Sequence, residues 1–238
     1  MESLRQNLAA VRERIARAAE GAGRDQAGIT LLAVTKIFPA AAIQEAYDLG
    51  LREFGENYVQ EFEGKAAQVG GLAGARFHLI GHLQSNKSKK AVELFRVIQT
   101  VDSARLARRL NEALVRPGPP VADLAIGPAG ESPLDVMLEV KLSGEDAKSG
   151  AEPAELPALI EAVRGCQNLR LTGLMTMPPW SDDSEASRPY FRRLRELAEQ
   201  HGLTGLSMGM SHDLETAIEE GATCVRVGTA LFGKRKKV

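Results

Sequence analysis

Two cysteines, one tryptophan and an aromatic share of 5% are what this 238-residue chain holds least of, and each shortage excludes something. Cys166 and Cys224 cannot build a disulfide framework, and neither belongs to a C-x-x-C pair. The chain therefore reads as one made for a reducing compartment, with the cytoplasm as its expected location. So few rings argue against a stacking platform for single-stranded nucleic acid, and a formal net charge of −1 gives no overall pull toward a phosphate backbone. No apolar run approaches membrane-spanning length, and the opening Met1-Glu-Ser-Leu-Arg-Gln6 lacks the basic and apolar regions of a signal peptide. Neither nucleic acid nor membrane is expected as a partner, and the basic run Lys234-Arg-Lys-Lys237 reads as a solvated tail. Two nucleotide signatures are missing as well: no Gly-x-Gly-x-x-Gly follows the first strand, and no Gly-x-x-x-x-Gly-Lys-Ser/Thr loop occurs.

What is present is an ordinary globular composition, 44% hydrophobic and 26% charged, carried on a regular rhythm. Leu4, Leu8, Val11, Ile15 and Ala18 recur at helical spacing until Gly21 and Gly23 stop the pattern, which predicts an amphipathic helix over 1–23. After it, short runs of Val, Ile and Leu alternate with turns and helical patterns. They start with Thr30-Leu-Leu-Ala-Val-Thr-Lys36 and end with Thr223-Cys-Val-Arg-Val-Gly228, and eight can be counted. Eight βα units in a chain of this length predict one domain, 1–238, folded as a (β/α)8 barrel of the TIM type, with an open doubly wound sheet as the runner-up. The Pro/Gly-rich stretch 116–133 breaks the rhythm and is expected to be a surface loop.

A barrel builds its site where strands end, so the residues there carry the chemistry. Lys36 shares a period-two face with Val34, Leu32 and Thr30, which points its amine toward the barrel mouth. Partial desolvation there favours the neutral amine, a nucleophile for a carbonyl carbon, although a solvated strand-end lysine fits the same pattern. Ser211 follows the seventh strand at the expected N-cap of a helix over 212–218, while Gly228 and Thr229 end the eighth. Capping alone accounts for Ser211, but the two adjacent loops together offer the donors of a phosphate site. Arg226 falls on the inward face with Cys224 and Gly228, to meet either a buried carboxylate or a ring nitrogen that its permanent charge keeps unprotonated. Asn57 stands at the end of the second strand, as a turn residue or a hydrogen-bond partner of a ring substituent. His78 and His82 straddle a strand end, so their i, i+4 spacing does not make a metal pair, and His82 reads as a structural or pocket-lining histidine.

Taken together, Ala33-Val-Thr-Lys36, Gly55-Glu-Asn-Tyr58, His78-Leu-Ile-Gly-His-Leu-Gln-Ser-Asn-Lys87, Ser143-Gly-Glu-x-x-Lys-x-Gly150, Gly173-Leu-Met-Thr-Met177, Leu206-Ser-Met-Gly-Met-Ser211 and Val225-Arg-Val-Gly-Thr229 closely resemble the YggS/PROSC family of pyridoxal phosphate homeostasis proteins. The resemblance spans nearly the whole chain. It implies a fold-type III barrel like the N-terminal domain of alanine racemase, with pyridoxal 5′-phosphate (PLP) held as a Schiff base on Lys36. It further implies phosphate contacts from Ser211, Gly228 and Thr229, a ring-nitrogen contact from Arg226, and pocket roles for Asn57 and Met208. Two features depart from the family: the 116–133 stretch is longer, and Val140-Lys141 stands where Val-Asn is usual.

A racemase of this fold type adds a second base and a C-terminal β-domain. Here the chain ends soon after the eighth strand, and Tyr58 and Cys224 are candidates for the base by position alone. The expectation is a monomeric carrier that buffers PLP and hands it to apo-enzymes. The rivals are a weak PLP-dependent racemase and a cofactor-free lyase that uses Lys36 directly.

Overall fold

The computed structural model describes residues 2–115, 133–143 and 149–233. Most of the Pro/Gly-rich stretch, the middle of the Ser143–Gly150 motif and the basic run at 234–237 lie outside the described residues. Helix α1 (Glu2–Gly21) leads into eight strands: β1 (Thr30–Val34), β2 (Glu53–Glu56), β3 (Arg76–Leu79), β4 (Val97–Val101), β5 (Leu134–Glu139), β6 (Leu169–Met175), β7 (Gly205–Met210) and β8 (Cys224–Val227). All neighbours pair in parallel, and β8 returns to β1 with Ala33 opposite Val227, so the sheet closes in sequence order into one barrel. The predicted (β/α)8 architecture is correct, and the open-sheet alternative is excluded by that closure.

Helices cover the outside: α2 (Ala40–Asp48), α3 (Val59–Val69), α4 (Ser88–Leu94), α5 (Ala104–Leu114), α6 (Leu156–Arg164), α7 (Arg188–Gln200), α8 (Leu214–Glu219) and the short α9 (Thr229–Phe232). Strand alternation sorts the core into two layers. Ala33, Phe54, Ile98, Val136, Leu138, Val225 and Val227 face outward into the large apolar layer under the helices. Leu32, Val34, Ile80 and Cys224 form a separate small cluster inside the barrel. Most of the remaining inward positions are polar, among them His78, Gln99, Ser207, Arg226 and Glu139, all buried.

The apolar stripe of α1 has a definite target. Leu4, Leu8, Val11, Ile15 and Ala18 are all buried, Asn7 donates to the carbonyl of Leu231 in α9, and Arg14 grips Glu215 in α8. Each fully buried aliphatic side chain is worth about 1.5–3 kcal/mol. The part-exposed Arg14–Glu215 pair adds at most about 1 kcal/mol, so apolar packing docks α1. It lies behind the two loops expected to hold an anion.

Candidate functional site

Strand β1 stops at Val34, two residues short of the predicted end, so Lys36 sits half-buried in the turn that follows, at the C-terminal rim of the barrel. A buried polar cluster fixes both its neighbours. Thr35 donates its hydroxyl to Glu56 at 2.7 Å. Lys65 of α3 donates to the Thr35 carbonyl at 3.1 Å, to Glu56 at 3.1 Å and to Glu61 at 2.6 Å. Glu61 then accepts the backbone N–H of Ile37 at 2.5 Å. Burial raises the pKa of the Glu56 carboxyl even though Lys65 and Thr35 pull it down. Ile37 has φ 71°, a left-handed conformation that a β-branched residue adopts only under constraint. The chain turns sharply at Ile37, and the clamp of Glu61 and Lys65 holds that turn.

Ser211 is not the cap of the next helix. Helix α8 starts at Leu214 with Asp213 before it, and Asp213 accepts the N–H of Met210 and the hydroxyl of Ser187. The Ser211 hydroxyl oxygen instead accepts the backbone N–H of Gly228 at 3.3 Å and of Ala230 at 3.2 Å. Gly209, at φ 88°, makes this turn possible: a Cβ there would meet the Ala217 methyl at 2.5 Å. Arg14 holds the Ser211 carbonyl at 3.0 Å. Thr229 is exposed beside this cluster and opens α9. Gly228 lies against Val34, and Phe38, two residues past Lys36, packs on Phe232 of α9 at 5.1 Å. The lysine turn and the donor cluster are therefore neighbours, placed so by the β1–β8 register.

Arg226 is buried inside the barrel, as its alternation with Val225 and Val227 predicts. Its guanidinium donates to the Ser207 hydroxyl and to the Thr176 carbonyl, each at 2.8 Å. Neither contact is to a carboxylate, one of the two partners expected for it. Because Ser207 accepts from Arg226, its own proton goes to Gln99, 2.6 Å away. Gln99 then donates to His78 Nδ1 at 2.9 Å, which leaves the His78 proton on Nε2, facing Glu53 at 2.5 Å. This relay runs in one direction through the barrel, from a cation near the C-terminal mouth to an anion near the N-terminal mouth. Burial would raise the pKa of Glu53, but His78 and Arg76 outweigh it and hold the carboxyl below its ordinary range. Burial lowers the pKa of Arg226, opposed by Cys224, Asp213 and Glu139.

The remaining expected residues are dispersed. Asn57 is half-buried just past β2, and Gly81 has no side chain because a Cβ would sit 2.2 Å from the Asn57 carbonyl oxygen. Met208 is fully buried in the apolar layer under the helices, while Met210 lines the cavity at the mouth. Tyr58 is exposed at the rim. Cys224 stands toward the opposite, N-terminal opening with Glu53 and His78, where burial raises its thiol pKa. The described residues contain no cluster of His, Cys, Asp and Glu able to hold a metal ion, and no described helix is long and apolar enough to cross a membrane.

Sequence reasoning missed Glu139. It ends β5 on the inward face, buried, and lines a cavity of about 320 Å³ with His82, Lys141, Met177, Trp180 and Met210. Burial and the neighbouring Asp102 raise its pKa from the ordinary 4.5 to about 7, against the pull of Arg226. Alternation along Asp135-Val-Met-Leu-Glu139 was the available signal, since it puts Glu139 on the same face as Met137.

Two N–H donors and a hydroxyl gathered between β7 and β8, a lysine on the adjoining strand end and an arginine one layer below form a donor set suited to a phosphorylated carbonyl compound. The comparisons give that class a family. The model of the alanine racemase N-terminal domain matches residues 6–236. The pyridoxal phosphate homeostasis protein of Pseudomonas aeruginosa PAO1 is 49% identical over 237 residues, covering 99% of this chain and 97% of its own. PipY of Synechococcus elongatus PCC7942, in a structure with PLP bound, superposes with TM-score 0.78 at 38% identity, covering 97% of this chain and all of its own. Alanine racemase of Clostridium difficile shares the fold at TM-score 0.71 with 14% identity, this chain spanning 58% of it. The chain belongs to the alanine racemase N-terminal domain family and, within it, to the pyridoxal phosphate homeostasis proteins.

Proposed function

We propose that this chain, acting as one domain over 1–238, is a carrier that holds PLP covalently through Lys36 and buffers it in the cytoplasm as a monomer, passing it to apo-enzymes. The observation that carries the reading is the adjacency of the Lys36 turn and the Ser211–Gly228–Ala230 cluster across the β1–β8 seam. It agrees with the PLP bound to PipY. When bound, the cofactor supplies an electrophilic aldehyde carbon. Lys36 supplies the amine, and the Glu61–Lys65 clamp on Ile37 keeps that amine at the rim. Ser211, Gly228 and Thr229 take the phosphate, with Ala230 adding its N–H. Arg226, its position fixed by Ser207 and Thr176, is the residue that would meet the ring nitrogen and, staying charged, would keep it unprotonated. That weakens the ring as an electron sink and favours holding over turnover. Asn57 stands at the same rim, just past β2, and Met208 backs the pocket from the apolar layer under the helices without lining it.

The test is the visible absorption of wild type and Lys36→Ala after mixing with PLP and removing the excess. A band retained by wild type and lost in the variant supports the carrier site, and borohydride should then fix the added mass on the Lys36 peptide. No band in wild type sinks the cofactor assignment and returns the cofactor-free lyase. A weak racemase has one foothold, the Glu139 carboxyl with its pKa near 7. It predicts solvent deuterium at the α position of an added amino acid, whereas a carrier predicts none.

A further inference from the structure

The proposed cofactor role leaves Glu139 without a task. The residue is buried, 4% exposed, and among the described residues its Oε2 is a buried oxygen with no hydrogen-bond partner. A buried acceptor left so is costly, on the order of 1–3 kcal/mol and more when charged, so such atoms mark places where something else binds. The cations nearby are engaged elsewhere: two guanidinium nitrogens of Arg226 are turned to Ser207 and Thr176, and Lys141 pairs with Glu152 at 3.5 Å. Asp102 adds a second negative charge close by. The cavity in front of Glu139 has apolar walls in Met177, Trp180 and Met210, and Trp180 is 71% exposed with one face on His212 at 5.0 Å.

We propose that this cavity is a binding site for a small primary amine in its ammonium form, with Glu139 as counter-ion and the Trp180 ring and methionines holding the hydrocarbon part. An ammonium group brings three donors and a full positive charge to a carboxylate whose Oε2 has no hydrogen-bond partner among the described residues, and an indole face attracts the same charge. A metal ion does not suit the cavity, because the described residues assemble no ligand cluster there. The inference does not rest on PLP, since the site takes its charge from Glu139 of β5 and its walls from Met177 and Trp180 after β6 and Met210 at the end of β7, and it can be tested in cofactor-free protein.

The full chain, freed of carbonyl compounds, is titrated with n-butylamine at pH 8 while the emission of Trp180, its single tryptophan, is recorded. Calorimetry follows the same titration, so binding that leaves the indole unmoved is still seen. A saturable signal is expected with butylamine and not with 1-butanol, butyrate or sodium chloride. Glu139→Gln should weaken binding about tenfold, the value of one charge-assisted contact. The groups around the carboxyl are Asp102 after β4, His82 after β3, Lys141 after β5 and Arg226 on β8. Binding should weaken from pH 8 to pH 5.5 in wild type and in His82→Asn but not in Glu139→Gln. Equal affinity in Glu139→Gln, an equal response to 1-butanol, or silence in both measurements overturns the proposal.

Discussion

The two sides of the barrel mouth follow opposite plans. Toward β1, β7 and β8 the polar groups answer one another: Ser211 takes two N–H groups, Arg226 is held by Ser207 and Thr176, and Glu61 and Lys65 pin the Lys36 turn. Toward β3, β5 and β6, among the described residues, a buried carboxylate oxygen goes unanswered and two large apolar side chains, Met177 and Trp180, stand in solvent. The first side is preorganised before any ligand arrives, so it loses little on binding; the second is completed only by what it binds. A barrel can afford both because eight strand ends share one rim while each loop is built separately.

The largest effect that would break this contrast is the loss of the PLP band in Lys36→Ala, which leaves the remainder of the first side in place and removes only its covalent anchor. Next in size is Ser207→Ala. It strips a partner from a buried guanidinium nitrogen of Arg226 and from Gln99, and is expected to cost about 3 kcal/mol in urea unfolding and to shift the absorption maximum of bound PLP, because Arg226 loses its position. An unchanged stability would show that the relay is not continuous.

On the second side the sign reverses. The folded-state pKa of Glu139 is raised from 4.5 to about 7, so the folded protein holds a proton that the unfolded chain has released, and stability falls as pH rises from 4.5 through 7. Glu139→Gln should therefore stabilise the protein above pH 7 by about 3 kcal/mol, at about 1.4 kcal/mol per pH unit, with the gain vanishing below pH 4.5. Urea midpoints at pH 4 and pH 8 check this; a loss of stability at pH 8 would mean that Glu139 is answered after all.

Two smaller effects sharpen the first side. Glu61→Ala frees the Ile37 N–H, but Lys65 keeps Glu56 and the Thr35 carbonyl. Stability should fall by only about 1 kcal/mol, while bound PLP is lost severalfold faster on dilution into excess apo-enzyme. Ser211→Ala should weaken PLP retention by up to about tenfold, the value of one hydrogen bond to an anion, with little change in unfolding.

The barrel was legible in the sequence because eight apolar runs alternate with helical patterns, and Arg226 was legible because strict alternation with Val225 and Val227 leaves it one direction to point. Lys36 was legible as a residue but not as a conformation: period-two extrapolation carried β1 two residues too far, since the constraint that ends it comes from Glu61 and Lys65 on another unit. Ser211 was expected at a helix cap, but the structure turns it to the N–H groups of Gly228 and Ala230, 17 and 19 residues away.

Local pattern thus determined by itself the order of the elements, the inward and outward faces and the candidate lysine, because periodicity, turn residues and burial preference act over neighbours in the chain. Barrel closure decided the rest. It alone brings β8 beside β1, threads Arg226, Ser207, Gln99, His78 and Glu53 into one relay from five strands that are not all adjacent, and seals Glu139 away from water beside Asp102. The partners of a buried polar group are set by distance in space, which no spacing in the sequence records.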